Sequence, residues 1–175
     1  MARKEQKQWY RLDNAGVLYS ALKKEKYAPV YRFSAVMKET VDPDALQRAV
    51  DRTMPRFPCF RVRIRKGVFW CYFEPNEKPG PFVRRDIANP CQPIREKWDN
   101  DWLIRFFYYE KRISFEAFHA ISDGAGALTF FRTLLAEYLR ELGVDIPLDP
   151  LLTPQQNAAK YYKDYKKAQK AEEML

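Results

Sequence analysis

The chain has 175 residues, of which 46% are hydrophobic and 15% are aromatic. This length and composition predict one folded domain with a proper core and exclude an intrinsically disordered chain. The formal net charge of +8 is compatible with an anionic partner, although basic residues more often cover solvated faces. No apolar run approaches the length of a membrane span and no signal-peptide pattern opens the sequence, so we expect a cytoplasmic protein.

The three cysteines are Cys59, Cys71 and Cys91. Their spacing matches no metal-ligand pattern, and an odd number does not indicate a disulfide framework. We therefore expect free, mostly buried thiols and no metal site.

The first part of the chain has the patterns of a helix, a strand and a second helix. Residues 9–22 place apolar side chains at helical spacing, and residues 30–38 alternate between inward and outward positions as a strand does. A second helix is predicted over residues 43–53, because Asp42 is a favoured N-cap and Pro43 suits the first helical position.

A hairpin and a loop follow. Residues 60–65 alternate strictly between apolar residues and arginines, and residues 68–73 form the return arm after a tight turn at 66–67. The proline-rich stretch 74–93 predicts a loop with a short edge strand at 82–85.

A second strand pair is predicted at residues 102–109 and 113–118, and a long amphipathic helix at 125–142. The predicted apolar stripe of that helix comprises Leu128, Phe131, Leu135, Tyr138 and Leu142.

The only histidine of the chain, His119, lies between the strand that ends at Phe118 and this helix. Imidazole is the side chain that exchanges protons near neutral pH, and a pocket can open at the end of a sheet. A lone histidine more often has a structural role, and Ser122, Asp123 and Gly124 are also typical of an ordinary turn and helix start. The residues alone leave both interpretations open.

The pattern His-x-x-x-Asp-Gly, formed here by His119, Asp123 and Gly124 after a strand and before an amphipathic helix, resembles the signature of the CoA-dependent acyltransferase superfamily. That superfamily includes chloramphenicol acetyltransferase and the condensation domains of peptide synthetases. Residues 118–139 are similar to bacterial alcohol-acetyltransferase-like and condensation-like members, and the resemblance extends over residues 9–142. It implies an α+β fold, a two-layer sandwich in which a mostly antiparallel sheet carries helices on one face, like one half of chloramphenicol acetyltransferase.

The resemblance implies acyl transfer from a thioester to an alcohol or amine, with His119 as the general base that deprotonates the acceptor. It implies that Asp123 does not relay protons but holds the loop, usually through an arginine, and that Gly124 lets the backbone turn close to the pocket. The candidate arginine partners of Asp123 are Arg61, Arg63 and Arg105. Acyl-CoA or a carrier-protein thioester is the implied co-substrate, with no tightly bound cofactor.

The sequence departs from the superfamily's pattern in two places. Many members have a second histidine just before the catalytic one, where this chain has Phe118. The superfamily's C-terminal half, with a segment similar to Asp-Phe-Gly-Trp-Gly, is absent from the sequence. We therefore expect the N-terminal half of a larger enzyme, whose site is completed by the missing C-terminal half or by a second copy, and whose acceptor is a small molecule.

Two other functions stay open. A chain with the same fold could be a non-catalytic module that binds a ligand or a protein. Arg61, Arg63 and Arg65 alternate with aromatic and apolar residues and suggest nucleic-acid binding, but the aromatic residues alternate onto the opposite face.

A predicted basic helix near the C-terminus fits a solvated helix better than a membrane-bound one. We expect neither nucleic acid nor a membrane as a partner, and we divide the chain into an acyltransferase-like half domain, residues 1–150, and a C-terminal basic helix in residues 151–175.

Overall fold

The computed structural model describes residues 10–11, 29–67, 71–86, 89–94 and 99–146. Its strands, in chain order, are β1 (Tyr10–Arg11), β2 (Val30–Val36), β3 (Val62–Lys66), β4 (Cys71–Pro75), β5 (Val83–Arg85), β6 (Ile104–Tyr109) and β7 (Arg112–Phe118). Its helices are α1 (Pro43–Thr53) and α2 (Gly124–Glu141), with short 3-10 turns at Met54–Arg56 and Pro58–Phe60.

The described strands form two sheets. In the larger sheet the strand order is β2–β7–β6–β5, and all pairs are antiparallel except β5 with β6. The smaller sheet has the order β1–β4–β3 and is antiparallel throughout. Both helices pack on one face of the larger sheet. The predicted α+β architecture, a mostly antiparallel sheet with helices on one face, is therefore confirmed.

The main core lies between the two helices and the larger sheet. Alternate residues of a strand point to the same face, and Ile113, Phe115 and Ala117 of β7 are fully buried beneath the helices. Phe130 of α2 stacks on Phe115 and Phe106, with ring centroids 4.9 and 5.9 Å apart. Burial of this apolar surface is the main source of the domain's stability.

The start of α1 follows its sequence signals. Asp42 Oδ1 accepts hydrogen bonds from the backbone N–H groups of Asp44 and Ala45 at 2.9 and 3.1 Å, and Pro43 stands in the first turn. The N–H of Asp42 donates to the hydroxyl of Tyr138, which ties the start of α1 to α2. The predicted N-cap is confirmed.

Two element boundaries differ from the sequence prediction. Tyr10–Arg11 pairs with β4 as a strand, where we expected the first turn of a helix, and the rest of that predicted helix lies outside the described residues. The strand predicted from Phe60 begins at Val62, because Pro58 opens a 3-10 turn that ends at Phe60. That turn places the Phe60 side chain in the main core instead of in the hairpin.

The buried face of α2 also differs from the predicted stripe. Phe131 and Tyr138 are buried as expected, but Leu142 is 45% exposed and Leu128 is only partly buried. The stripe omitted Phe130, which is fully buried among the aromatic rings of the sheet. Because a close-packed core must accommodate its largest side chains first, the helix turns the side that carries Phe130 towards the sheet.

All three cysteines are free, as expected, but they are not mostly buried. Cys59 is exposed, and Cys71 and Cys91 are partly buried. Cys59 is exposed because Phe60 takes the inward position of the 3-10 turn between α1 and β3.

Some predictions fall on residues that the structure does not describe. They are residues 68–70 of the predicted return arm, the helix at 153–173 and the division between residues 1–150 and 151–175. The short edge strand predicted at 82–85 is confirmed as β5. Within the described part of the chain, no helix is long and apolar enough to cross a membrane.

Candidate active site

His119 is the first residue after β7, at the end of the larger sheet. Phe118, the last residue of the strand, is 3% exposed and packs in a second apolar cluster with Leu103 and Phe73. His119 itself is exposed. The chain therefore leaves the interior between these two residues, and the imidazole reaches solvent at the position that the sequence predicts.

The backbone at His119 is fixed from the neighbouring strand β2. The N–H of His119 donates to the carbonyl oxygen of Pro29 at 2.7 Å, and the N–H of Ile121 donates back to the carbonyl of Phe118 at 3.1 Å. These bonds close a turn directly after the strand. The imidazole is thus an exposed side chain on a held backbone, which is the arrangement that a positioned proton acceptor requires.

Tyr31, on β2, contacts both ends of the turn. Its ring meets the imidazole of His119 edge to face, with centroids 5.0 Å apart, and its hydroxyl donates to the carbonyl oxygens of Ser122 and Asp123 at 3.1 and 3.2 Å. Burial raises the pKa of the Tyr31 hydroxyl to about 12, so the phenol stays protonated at neutral pH. Sequence analysis placed Tyr31 only on the inward face of a strand, because its contact with His119 depends on strand pairing.

Asp123 is exposed and caps α2. Its Oδ1 accepts the backbone N–H of Gly126 at 2.7 Å. Among the described residues no arginine forms an ion pair with Asp123, and Arg105 and Arg63 are paired with other carboxylates instead. The expected arginine brace is therefore wrong for the described part of the chain, because the carboxylate is used at the helix start.

Gly126 is the glycine of the turn with the nearest neighbours. A Cβ at Gly126 would lie 2.5 Å from Ser122 Oγ, so that hydroxyl would have to move, and 3.2 Å from Asp123 Oδ1. A Cβ at Gly124 would meet no atom within 4 Å. The sequence singled out Gly124, but the close approach occurs two residues later, where the capping carboxylate folds back over the first turn of α2.

Replacing Asp123 by alanine and by asparagine shows whether its carboxylate acts as a helix cap or as the charged partner of an arginine. We expect Asp123→Ala to lower the free energy of unfolding by about 1 kcal/mol, because the Gly126 N–H loses its acceptor. Asp123→Asn keeps an acceptor oxygen and should unfold within a few tenths of a kcal/mol of the parent, by the near equality of the two residues as N-caps. Urea denaturation measures both. An asparagine variant as unstable as the alanine variant would show that the charge of Asp123 has a partner, contrary to the cap.

A buried charged cluster lies on the sheet face opposite the helices. Glu116 is 1% exposed, and its carboxylate accepts hydrogen bonds from Arg32 at 2.8 Å, from Arg105 at 2.6 Å and from the backbone N–H of Cys91 at 2.7 Å. Arg32 also pairs with Asp86 at 2.6 Å. Arg32 of β2, Glu116 of β7 and Arg105 of β6 are opposite one another in the sheet, so ion pairs link the three strands. This row of residues lies close to the end of β7 that is followed by His119.

The basic face of β3 is partly neutralised. Arg63 and Arg65 both bond Glu74 on the paired strand β4, each at 2.6 Å. Burial disfavours the Glu74 carboxylate, but the hydrogen bond from Arg65 and the charge of Arg63 outweigh it and hold its pKa below the usual value. Of the three arginines that suggested nucleic-acid binding, Arg61 alone remains outside this group.

No protein-family model and no curated protein matches the chain. Solved structures do match it in fold. The starter condensation domain of rhizomide synthetase RzmA superposes with a TM-score of 0.62 and 15% identity, over 93% of this chain and 46% of that one. A variant of that domain in complex with C8-CoA gives a TM-score of 0.60 and 16% identity, over 92% of this chain and 43% of that one.

A more distant match gives the same result. Polyketide synthase associated protein 5 from Mycobacterium tuberculosis has a TM-score of 0.53 and 15% identity, over 79% of this chain and 35% of that one. The chain spans less than half the length of each of these structures. At such low identities the comparison establishes the fold alone, which is shared with these condensation domains.

Proposed function

We propose that this chain supplies the general-base half of a CoA-dependent acyltransferase, which transfers an acyl group from a thioester to an alcohol or an amine. The observation that carries the proposal is the position of His119. The only imidazole of the chain is exposed where β7 ends and α2 is about to begin, in a fold shared with condensation domains. One of those domains was solved with C8-CoA, which supports an acyl thioester as the donor.

The proposed reaction needs no covalent enzyme intermediate. The acceptor oxygen or nitrogen attacks the thioester carbonyl carbon while His119 takes the proton that the acceptor loses. The carbon–sulfur bond of the tetrahedral intermediate then breaks, and the imidazolium returns the proton to the leaving thiolate. The products are the acylated acceptor and the free CoA thiol, and the imidazole is restored.

The residues around His119 have supporting roles in this proposal. Asp123 holds the turn by capping α2 and is not a proton relay, since its carboxylate is engaged with the Gly126 N–H. A Cβ at Gly124 would meet no atom within 4 Å, so the described residues leave open space at the start of α2. That space can admit the reacting part of a substrate.

We further propose that another segment closes the site. Two cavities in the described part of the chain lie beside Trp102, and neither is lined by any residue of 119–124. The cover over His119 would come from the part that corresponds to the remaining half of a condensation domain, or from a second copy of this chain.

Octanoyl-CoA, which carries a C8 acyl group, is the donor for the test, and ethanolamine is the acceptor probe because it offers both an amine and an alcohol. Products should be measured by mass spectrometry, which identifies the acylated acceptor and free CoA directly. We expect octanoyl-ethanolamine and free CoA to form above the rate without protein.

The same mixture tests the alternative, a non-catalytic module of the same fold. Phe118 in place of a second histidine favours it. Calorimetric binding of octanoyl-CoA without product, unchanged when His119 is replaced, would support that module and contradict the acyltransferase.

A further inference from the structure

The strand β2 holds the turn 119–123 at three points. The carbonyl of Pro29 accepts the N–H of His119, the ring of Tyr31 packs on the imidazole, and the Tyr31 hydroxyl donates to two carbonyls at the far end of the turn. One side chain thus touches the first residue of the turn through its ring and the last two through its hydroxyl.

We propose that Tyr31 is a positioning residue for His119, an inference that rests on the acyl-transfer function proposed above. Its ring limits the orientations of the imidazole, and its hydroxyl keeps the start of α2 at a fixed distance from that imidazole.

The Tyr31 ring restricts the orientations of an imidazole that is exposed to solvent. An exposed side chain rotates freely about its first two bonds unless a neighbour excludes some of its rotamers. The Tyr31 ring, inclined at 63° to the imidazole, occupies one side of it. An aromatic edge-to-face contact also favours one mutual orientation over others, because the ring faces and ring edges carry opposite partial charge.

The Tyr31 hydroxyl holds the helix end of the turn, whereas the ring contacts the strand end. His119 follows β7, whereas Ser122 and Asp123 precede α2, so a change in the angle between strand and helix would move them apart. The hydroxyl bonds both carbonyls at the helix end. The Asp123 carbonyl also accepts the Ala127 N–H of the first helical turn, so the phenol is linked to the helix itself.

Nuclear magnetic resonance tests the ring without any need for activity, since the one histidine of the chain gives the only imidazole signals. We expect Tyr31→Phe to keep the ring-current-shifted His119 ring protons, and Tyr31→Leu to move them towards the values of an unstructured peptide. Phe106→Leu is the matched control, because it removes a ring from the same face of the larger sheet that stacks on Phe115 and Phe130. It should leave the His119 signals in place. Unmoved signals in Tyr31→Leu would overturn the role of the ring.

Kinetics test the hydroxyl. Tyr31→Phe should lower kcat for octanoyl transfer by about tenfold with little change in KM, since a displacement of about 1 Å at the reacting group can cost up to ~100-fold in rate. Faster amide exchange at residues 122–124 should accompany the loss. Full activity of Tyr31→Phe, with unchanged amide exchange at residues 122–124, would overturn the positioning role of the hydroxyl. If the parent protein transfers no acyl group, the proposed function fails, while the histidine signals and the amide exchange still decide whether Tyr31 orders the turn.

Discussion

His119→Ala should reduce the rate of octanoyl transfer by about 100- to 10,000-fold, the usual contribution of a positioned general base. The chain has no second histidine that could substitute, and the position where many superfamily members carry one is Phe118, which is 3% exposed. The acceptor would then have to lose its proton to water, which is a weaker base at neutral pH. Mass spectrometry of the acylated product measures the loss, at an enzyme concentration where the parent rate clearly exceeds the rate without protein.

Two further variants make the result specific to the imidazole. His119→Gln keeps a polar side chain of similar length but cannot accept a proton, so it should be as slow as the alanine variant. Arg132→Ala removes an exposed side chain from the middle of α2 and should keep full activity. Because His119 is exposed, its replacement should change the free energy of unfolding by less than about 0.5 kcal/mol. Octanoyl transfer that persists in both His119 variants would show that the imidazole is not the base.

Features that depend on neighbouring residues in the chain could be predicted from the sequence. The start of α1 follows from Asp42 and Pro43, since a cap and its proline act within a single turn. The strand over residues 113–118 and the helix after it were also predicted, so the location of His119 between them followed from the sequence. These features need no knowledge of which strands pair.

Features that depend on pairing could not be predicted. Glu116 and Arg105 lie side by side only because β6 and β7 pair in a particular register, and Tyr31 reaches His119 only because β2 lies beside β7. Arg105, one of the three candidate partners of Asp123, pairs with Glu116 for the same reason, because the register places those two residues side by side. Nothing in the strand patterns indicated that the charged residues Glu116 and Arg105 would be buried.

Glu116→Gln is expected to be the most destabilising substitution of a charged residue in the described part of the chain. It removes the negative charge that two largely buried guanidinium groups share, those of Arg32 and Arg105, whose side chains are 15% and 10% exposed. Arg32 keeps Asp86 at 2.6 Å, but Arg105 loses its carboxylate at 2.6 Å and keeps only Asp99 at 4.0 Å. Breaking a buried ion pair from one side costs about 3 to 5 kcal/mol, because a buried charge is left without its close partner. Equilibrium unfolding in urea measures this loss.

Glu141→Gln is the matched control. Glu141 also forms ion pairs with two arginines, Arg48 at 2.7 Å and Arg52 at 2.8 Å, but their side chains are 53% and 63% exposed. Once the carboxylate is gone these guanidinium groups turn to water, and exposed pairs contribute only about 0 to 1 kcal/mol. If the two glutamine variants lose equal stability, burial of the arginine partners is not what makes Glu116 important.

A triple replacement completes the argument about Glu116. Arg32→Met, Glu116→Leu and Arg105→Met together remove Glu116 and both of its arginine partners, while Asp86 keeps Arg112 at 3.2 Å. Apolar residues in place of a buried ionic group can restore or even exceed the parent stability. Recovery relative to Glu116→Gln would show that the cost arises from the unpaired arginines, not from lost packing. Glu116 lies on β7, and His119 directly follows that strand. The histidine signals of the triple variant would therefore also show whether this cluster fixes the end of the sheet that carries the imidazole.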